Sequence, residues 1–195
     1  MAADWLVVGL GNPGAEYAGT RHNVGADTVA LLAGRRGAAL KRSKHRALTA
    51  EVKVDGAAVV LAFPQTYYNE SGQAVASLCR WHDLGAEQVV VVHDELDLPP
   101  GRLKVKVGGG LAGNNGLRSI KAHLHGDGFA RVRIGVGKPP GRMEGADHVL
   151  RRPGKAERAE LDIVVQEAAD AVELLVTEGP ERAMDRYNTR PDPDI

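Results

Sequence analysis

Four consecutive valines at positions 89–92, followed by His93 and Asp94, constrain the fold of this chain more than any other stretch. Valine favours extended backbone because its branched side chain packs well on a pleated surface. A strand with one face in water alternates apolar and polar residues, and this run does not alternate. It therefore predicts a strand buried on both faces, as in a parallel sheet covered by helices on each side.

The rest of the chain alternates short apolar runs with helical patterns, which is typical of an α/β fold. Strands are predicted at 5–10, 49–54, 57–63, 88–93, 102–107 and 131–136, with Asp55-Gly56 as a hairpin turn. Helices are predicted at 24–33, 71–82, 117–124 and 155–178, with a short one at 181–187. We expect one domain over 1–187, a frayed tail over 188–195 and a loose loop over 138–154. The predicted architecture is a mixed, twisted, mostly parallel sheet with helices on both faces.

Composition narrows the functional class. No apolar run approaches the ~20 residues that a membrane span requires, and the start of the chain lacks the basic flank of a secretory signal. The single cysteine, Cys79, excludes an internal disulfide and fits a cytoplasmic protein, with the thiol packed in a helix. The histidines lack the spacing of metal ligands, so no metal site is predicted.

The zero net charge conceals an uneven distribution. Residues 102–158 hold thirteen Lys and Arg against four Asp and Glu, and residues 35–46 are basic without any acid. A basic half on a neutral chain suggests a polyanionic partner such as nucleic acid. A solvated surface crossed by salt bridges would explain the same pattern.

The segment "VGLGNPGAEYAGTRHNVG" contains a G-x-G-x-x-G pattern at Gly9, Gly11 and Gly14. A dinucleotide site needs a helix that begins at these glycines, and an acidic residue at the end of the next strand. Here Pro13 interrupts the pattern, the first amphipathic helix begins near residue 24, and that acid is missing. We therefore interpret the glycines as a sharp turn that presents Asn12 at the strand's end.

Further polar residues follow the other predicted strands or precede the helices. Ligands of open α/β sheets bind beyond the carboxyl ends of the strands. The residues expected to share that cleft are Asn12, His22, Asn69 and Asp94, with Asn115 at its rim. Each alone could be a turn or helix-start residue; it is their convergence that favours function.

This set suits hydrolysis. A neutral imidazole backed by a carboxylate is a general base near pH 7, and asparagine amides donate to a carbonyl oxygen or to a developing oxyanion. Because these motifs contain no obvious serine or cysteine nucleophile, water is the expected nucleophile and an ester or amide the expected substrate.

The same motifs resemble those of the bacterial peptidyl-tRNA hydrolase family. The resemblance runs in order through "VGLGNPGAEYAGTRHNVG", "YYNESGQAV", "VVHDELDLPPGRLKVKVGGG", "NNGLRSI" and "RVRIGVGKP", nearly the whole chain. It implies a monomeric, cytoplasmic α/β enzyme without cofactor. The implied reaction is hydrolysis of the ester between a peptide and the 3′ ribose of tRNA.

The resemblance also implies roles for individual residues. His22 would be the catalytic base, Asp94 its orienting partner, and Asn12 the residue that positions water or the scissile carbonyl. Substrate contacts in the cleft would come from Tyr17, Tyr68, Asn69 and Asn115. Contacts to tRNA phosphates would come from Lys104, Lys106, Arg131 and Arg133.

The chain departs from the family pattern at three positions. Asn114 and Ala112 stand where the family often has histidine and glycine, and Tyr68 stands where methionine is commonest. Two other hypotheses remain at this point: a non-catalytic RNA-binding module like the related organelle splicing factors, and a hydrolase of another small ester or amide. An intact His22, Asp94 and Asn12 set favours the enzyme.

Overall fold

The computed structural model describes residues 2–189 and contains the predicted α/β architecture. The strands are β1 (Trp5–Gly9), β2 (Lys41–Arg42), β3 (Ala47–Val54), β4 (Ala57–Pro64), β5 (Val89–Glu95), β6 (Leu103–Val107) and β7 (Ala130–Gly135). The helices are α1 (Val24–Arg35), α2 (Ser71–His82), α3 (Asn115–Leu124), α4 (Gly145–Val149), α5 (Lys155–Glu178) and α6 (Pro180–Tyr187). Short 3-10 helices lie at Arg21–Asn23, Tyr68–Glu70 and Ala86–Gln88.

The strands form one mixed sheet of seven, in the order β2-β3-β4-β1-β5-β7-β6. Its centre is parallel: β1 pairs with β4 and β5, and β5 pairs with β7. The pairs at the two edges are antiparallel. The valine run lies in β5, where every residue is buried, because helices cover both faces of the sheet. The predicted fold class is confirmed.

Two apolar layers hold the helices on the sheet. On one face α1 and α5 pack against side chains such as Val90 and Val132, and on the other α2 and α3 pack against Val91 and Phe129. The alternation of strand side chains separates the layers, because neighbouring residues of a strand point to opposite faces. This arrangement leaves the carboxyl ends of β1, β4 and β5 at a single edge of the sheet, where the candidate site lies.

Close backbone contacts explain two of the glycines. A Cβ on Gly9 would lie 2.2 Å from the carbonyl oxygen of Gly25, and a Cβ on Gly25 would lie 2.1 Å from the carbonyl oxygen of Val92. The first turn of α1 therefore rests directly on the ends of β1 and β5. The Ala26 amide at that helix start donates to the Leu10 carbonyl, which satisfies one of the donors that a helix N-terminus leaves free.

The structure differs from the sequence expectations in three places. The segment predicted as a loop contains α4, and the two-residue strand β2 was not predicted. Asn188, assigned from sequence to a frayed tail, exchanges two hydrogen bonds with the Val105 backbone, at 2.9 and 2.7 Å. The remainder of that tail, from residue 190, lies outside the described residues.

Candidate active site

A cavity of about 500 Å³ opens at the carboxyl ends of the central strands. Its walls come from the segments that follow β1, β4 and β5, from the loop before α3, and from α4. The lining includes Asn12, His22, Tyr68, Asn69, Asp94 and Asn115, together with Glu95 and Asn114. Residues that are distant in the chain thus meet in one place, because parallel strands end at the same edge.

His22 and Asp94 form the central contact of the cavity. His22 Nδ1 lies 2.8 Å from Asp94 Oδ2, and the carboxylate side chain is 4% exposed. An ionised carboxylate accepts hydrogen bonds and cannot donate them, so Nδ1 carries the proton in this contact. Nε2 is then the basic nitrogen of a ring that borders the cavity.

The segment that carries His22 is anchored by its neighbour. Arg21 donates from Nε and Nη2 to the two carboxylate oxygens of Glu157 on α5, at 2.7 and 2.8 Å. It also donates to the carbonyls of His148 and Arg151. The Arg21 contact lowers the pKa of Glu157, because the guanidinium stabilises the charged carboxylate. These contacts tie the residue next to His22 to α5 and to the segment that follows α4.

Asn12 is held in a fixed orientation. Its backbone N–H and C=O pair with the Asn23 amide at 2.9 and 3.0 Å, and its Oδ1 accepts the Tyr68 N–H at 2.7 Å. With Oδ1 engaged in this way, Nδ2 is the end of the amide that remains available to a group in the cavity. The turn predicted around Asn12 therefore fixes the orientation of one hydrogen-bond donor, the side-chain Nδ2.

Tyr68 makes contacts that the sequence did not predict. Its ring stacks on the His22 ring, with centroids 3.6 Å apart and planes 12° apart. Its hydroxyl donates to Asp94 Oδ1 at 2.7 Å and accepts from Asn114 Nδ2 at 2.8 Å. Burial, with a further contribution from Asp94, raises the pKa of Tyr68 well above its usual value. The hydroxyl therefore keeps its proton.

The predicted substrate-contacting residues are not all in the cavity. Asn69 and Asn115 line it and are exposed, although Asn115 Oδ1 accepts a bond from Arg118 at 3.3 Å. Tyr17 is not among the lining residues; it lies in the turn before His22, where its carbonyl accepts from Thr20 Oγ1 at 2.7 Å. The structure thus does not bring Tyr17 into this cavity with the other residues, and its contact with a substrate stays a prediction.

The four cations predicted to contact phosphate lie on paired strands at the β6 edge. Lys104 faces Arg133, and Lys106 faces Arg131, across the β6–β7 pairing. Lys104, Lys106 and Arg133 are partly exposed, and Arg133 also pairs with Glu95 at 2.7 Å.

Arg131 is the exception in this group. It is 2% exposed and donates to the carbonyls of Gly108 and Gly110, so its charge is directed into the protein. Arg131 therefore holds the glycine-rich loop in place, and the sequence prediction of a phosphate contact is corrected.

Two features are absent from the described part of the chain. Within residues 2–189, no three His, Cys, Asp or Glu side chains are grouped as a metal ion would require. Nor is any helix of that range both long and apolar enough to cross a membrane.

Comparisons with known proteins agree with the geometry. The family model for peptidyl-tRNA hydrolase matches residues 6–194. A peptidyl-tRNA hydrolase of Pseudarthrobacter chlorophenolicus is 50% identical over 190 residues, covering 96% of this chain and 97% of that protein. One from Frankia alni is 49% identical over 184 residues, covering 94% and 93%. The crystal structure of peptidyl-tRNA hydrolase from Acinetobacter baumannii superposes with a TM-score of 0.90 at 39% identity, covering 98% of each chain. The chain belongs to the peptidyl-tRNA hydrolase family.

Proposed function

We propose that this chain hydrolyses the ester that joins a peptide to the 3′ ribose of tRNA, with His22 as general base. The observation that carries the mechanism is the 2.8 Å contact between His22 Nδ1 and Asp94 Oδ2 at the wall of the cavity. That contact selects the tautomer whose Nε2 can accept a proton from water. It also places a negative charge beside the imidazolium that forms in the reaction.

The reaction needs no covalent intermediate on the protein. His22 Nε2 takes a proton from water as the oxygen attacks the ester carbonyl carbon. The carbonyl oxygen becomes an oxyanion, and the Asn12 amide, fixed by Asn23 and Tyr68, supplies a donor for it. The imidazolium then returns the proton to the 3′ oxygen as the bond to the peptide carbonyl breaks. The products are free tRNA and a peptide with a terminal carboxylate.

The cavity also accounts for a preference for a blocked amine. Asn69 and Asn115, the exposed amides on its wall, can hydrogen-bond to a peptide backbone. A peptide or acetyl cap keeps the nitrogen neutral, as this uncharged pair requires. The ammonium of a free aminoacyl group would need a carboxylate as its partner. The two carboxylates of the cavity, Glu95 and Asp94, already pair with Arg133 and His22, so the ammonium would be left uncompensated.

The β6 edge supplies a site for the tRNA phosphates. Lys104, Lys106 and Arg133 lie partly exposed on the paired strands β6 and β7, where Glu95 pairs with Arg133. Phosphates of the acceptor stem would bind along this basic edge without any reading of bases. We further propose that the enzyme acts as a monomer in the cytoplasm, where peptidyl-tRNA forms.

The decisive experiment compares N-acetylaminoacyl-tRNA with free aminoacyl-tRNA, using the wild type and His22→Ala. We expect release from the blocked substrate alone, and loss of turnover in the variant with tRNA affinity retained. Equal release from both substrates would favour a general esterase. Unchanged turnover in His22→Ala would refute the base role. If the wild type itself binds tRNA but releases nothing from either substrate, the RNA-binding module is supported instead.

A further inference from the structure

A directed series of hydrogen bonds reaches Oδ1 of Asp94, the carboxylate oxygen that His22 does not contact. Asn114 caps α3, with Oδ1 accepting the Leu117 N–H at 3.0 Å, and this fixes which end of the amide points outward. Its Nδ2 donates to the Tyr68 hydroxyl at 2.8 Å, and that hydroxyl donates to Asp94 Oδ1 at 2.7 Å. Every direction follows from chemistry, because an amide nitrogen can only donate and a carboxylate can only accept.

The Tyr68 ring is confined by its surroundings. It is 4% exposed, with one face against the His22 ring. A Cβ on Gly116 would lie 2.6 Å from Tyr68 Cε1, so the start of α3 approaches the ring closely. Its backbone N–H is also engaged by Asn12 Oδ1. A side chain held at so many points has little freedom to move the carboxylate that it contacts.

We propose that Tyr68 and Asn114 are positioning residues that hold the carboxylate of Asp94 in the orientation His22 needs. The hydroxyl occupies Oδ1, so Oδ2 is directed at the imidazole, and Asn114 keeps the hydroxyl from turning away. This inference rests on the proposed function, since the orientation matters only if His22 is the base. It gives Tyr68, which also lines the cavity, a role beyond the substrate contact expected from sequence.

The two residues also fit each other as a pair. The structure joins them by a hydrogen bond from Asn114 Nδ2 to the Tyr68 hydroxyl. A residue without a hydroxyl at position 68 would leave Asp94 Oδ1 buried without its donor, which destabilises a buried anion. The amide at position 114 is then the group that orients this donor.

Tyr68→Phe tests the proposal, because it removes the hydroxyl and keeps the ring and its stacking. With N-acetylaminoacyl-tRNA we expect kcat to fall about tenfold or more, as for loss of a hydrogen bond to a charged group, while KM stays within about twofold. Tyr187→Phe removes a hydroxyl on α6 and serves as the matched control. A raised KM with unchanged kcat would show that Tyr68 is a cleft wall, and no change in either would also overturn the proposal.

Asn114→Ser tests whether Asn114 acts on Asp94 through the Tyr68 hydroxyl. Serine can still cap α3 but is too short to reach the hydroxyl. We expect a smaller loss of kcat than in Tyr68→Phe. The double variant should be no slower than Tyr68→Phe, because the amide acts through the hydroxyl. Losses that multiply would overturn the serial arrangement.

Two further measurements keep the interpretation clear. Unfolding by urea should confirm that each variant is folded at the assay temperature; if Tyr68→Phe is not, the split between kcat and KM in Asn114→Ser decides. His22→Ala is assayed in parallel. Turnover in His22→Ala refutes the proposed function, whereas an inactive His22→Ala beside a fully active Tyr68→Phe refutes only the positioning role.

Discussion

Asp94→Asn should be one of the most damaging substitutions in the cavity, for a reason visible in its two contacts. The carboxylate accepts from both His22 Nδ1 and the Tyr68 hydroxyl, at 2.8 and 2.7 Å. An amide can accept at one end only. If its oxygen faces Tyr68, its NH₂ faces His22 Nδ1, and the ring must move its proton to Nε2. His22 then has no lone pair with which to deprotonate water.

The opposite orientation of the amide is disfavoured. With its oxygen towards His22, its NH₂ faces the Tyr68 oxygen, which already accepts from Asn114, and the hydroxyl proton loses its acceptor. An unsatisfied buried donor costs about 2 kcal/mol, or roughly 30-fold in favour of the inactive tautomer at ~1.4 kcal/mol per tenfold. Loss of the charge that stabilises the imidazolium adds about a further 100-fold. We therefore expect kcat to fall by about 10³ to 10⁴, as in Ser-His-Asp triads.

The assay is release of the acetylated amino acid from tRNA, with Asp97→Asn as the matched control on an exposed carboxylate. The most informative variant is the double Asp94→Asn, Tyr68→Phe. Removing the hydroxyl abolishes the bias towards the inactive tautomer, so the double variant should be about tenfold faster than Asp94→Asn alone. A double variant that is as slow as the single one, or slower, would refute this reasoning.

Three further predictions concern binding and stability. Lys106→Ala should weaken tRNA binding and reduce the slope of log affinity against log salt by about 1; an unchanged slope would remove this lysine from the phosphate contacts. Ala112 adopts φ +50°, so Ala112→Gly should raise the free energy of unfolding by about 1 kcal/mol in urea titrations, and a loss would contradict the strain. Burial lowers the pKa of His93, so the folded state binds a proton at this ring less readily than the unfolded chain, which takes one up below about pH 6.5. The free energy of unfolding should therefore fall as the pH drops below about 6.5, by at most ~1.4 kcal/mol per pH unit; a urea midpoint that does not change between pH 8 and 5.5 would contradict this.

The fold was predictable because its main elements have strong local patterns. The valine run and the apolar spacing of Lys155–Glu178 each specify one kind of structure, and the structure gives that helix the bounds predicted. The five residues of Gly145–Val149 begin with glycine and make too few turns to show a period. The pair Lys41–Arg42 is exposed and pairs only at an edge, so its strand character comes from the neighbour and not from its own residues.

For the candidate site, the sequence predicted which residues meet but not all of their contacts. His22, Asp94 and Asn12 follow strands or precede a helix, so topology alone brings them near one another. The Tyr68 hydroxyl reaches Asp94 across a packed ring, and no spacing rule encodes such a contact. Arg131 shows the same limit, because a strand pattern reveals which face an arginine occupies but not which loop covers it.

The glycines at positions 9 and 25 have a consequence for how such segments are identified. Gly9 belongs to the outline of a nucleotide-binding signature, yet the group that Gly9 and Gly25 each admit is a carbonyl oxygen of the chain itself. Alanine at either position would push the first turn of α1 outward, and the imidazole two residues ahead of that helix would move with it. The 2.8 Å contact between His22 and Asp94 thus depends on the absence of a methyl group at each of these two positions.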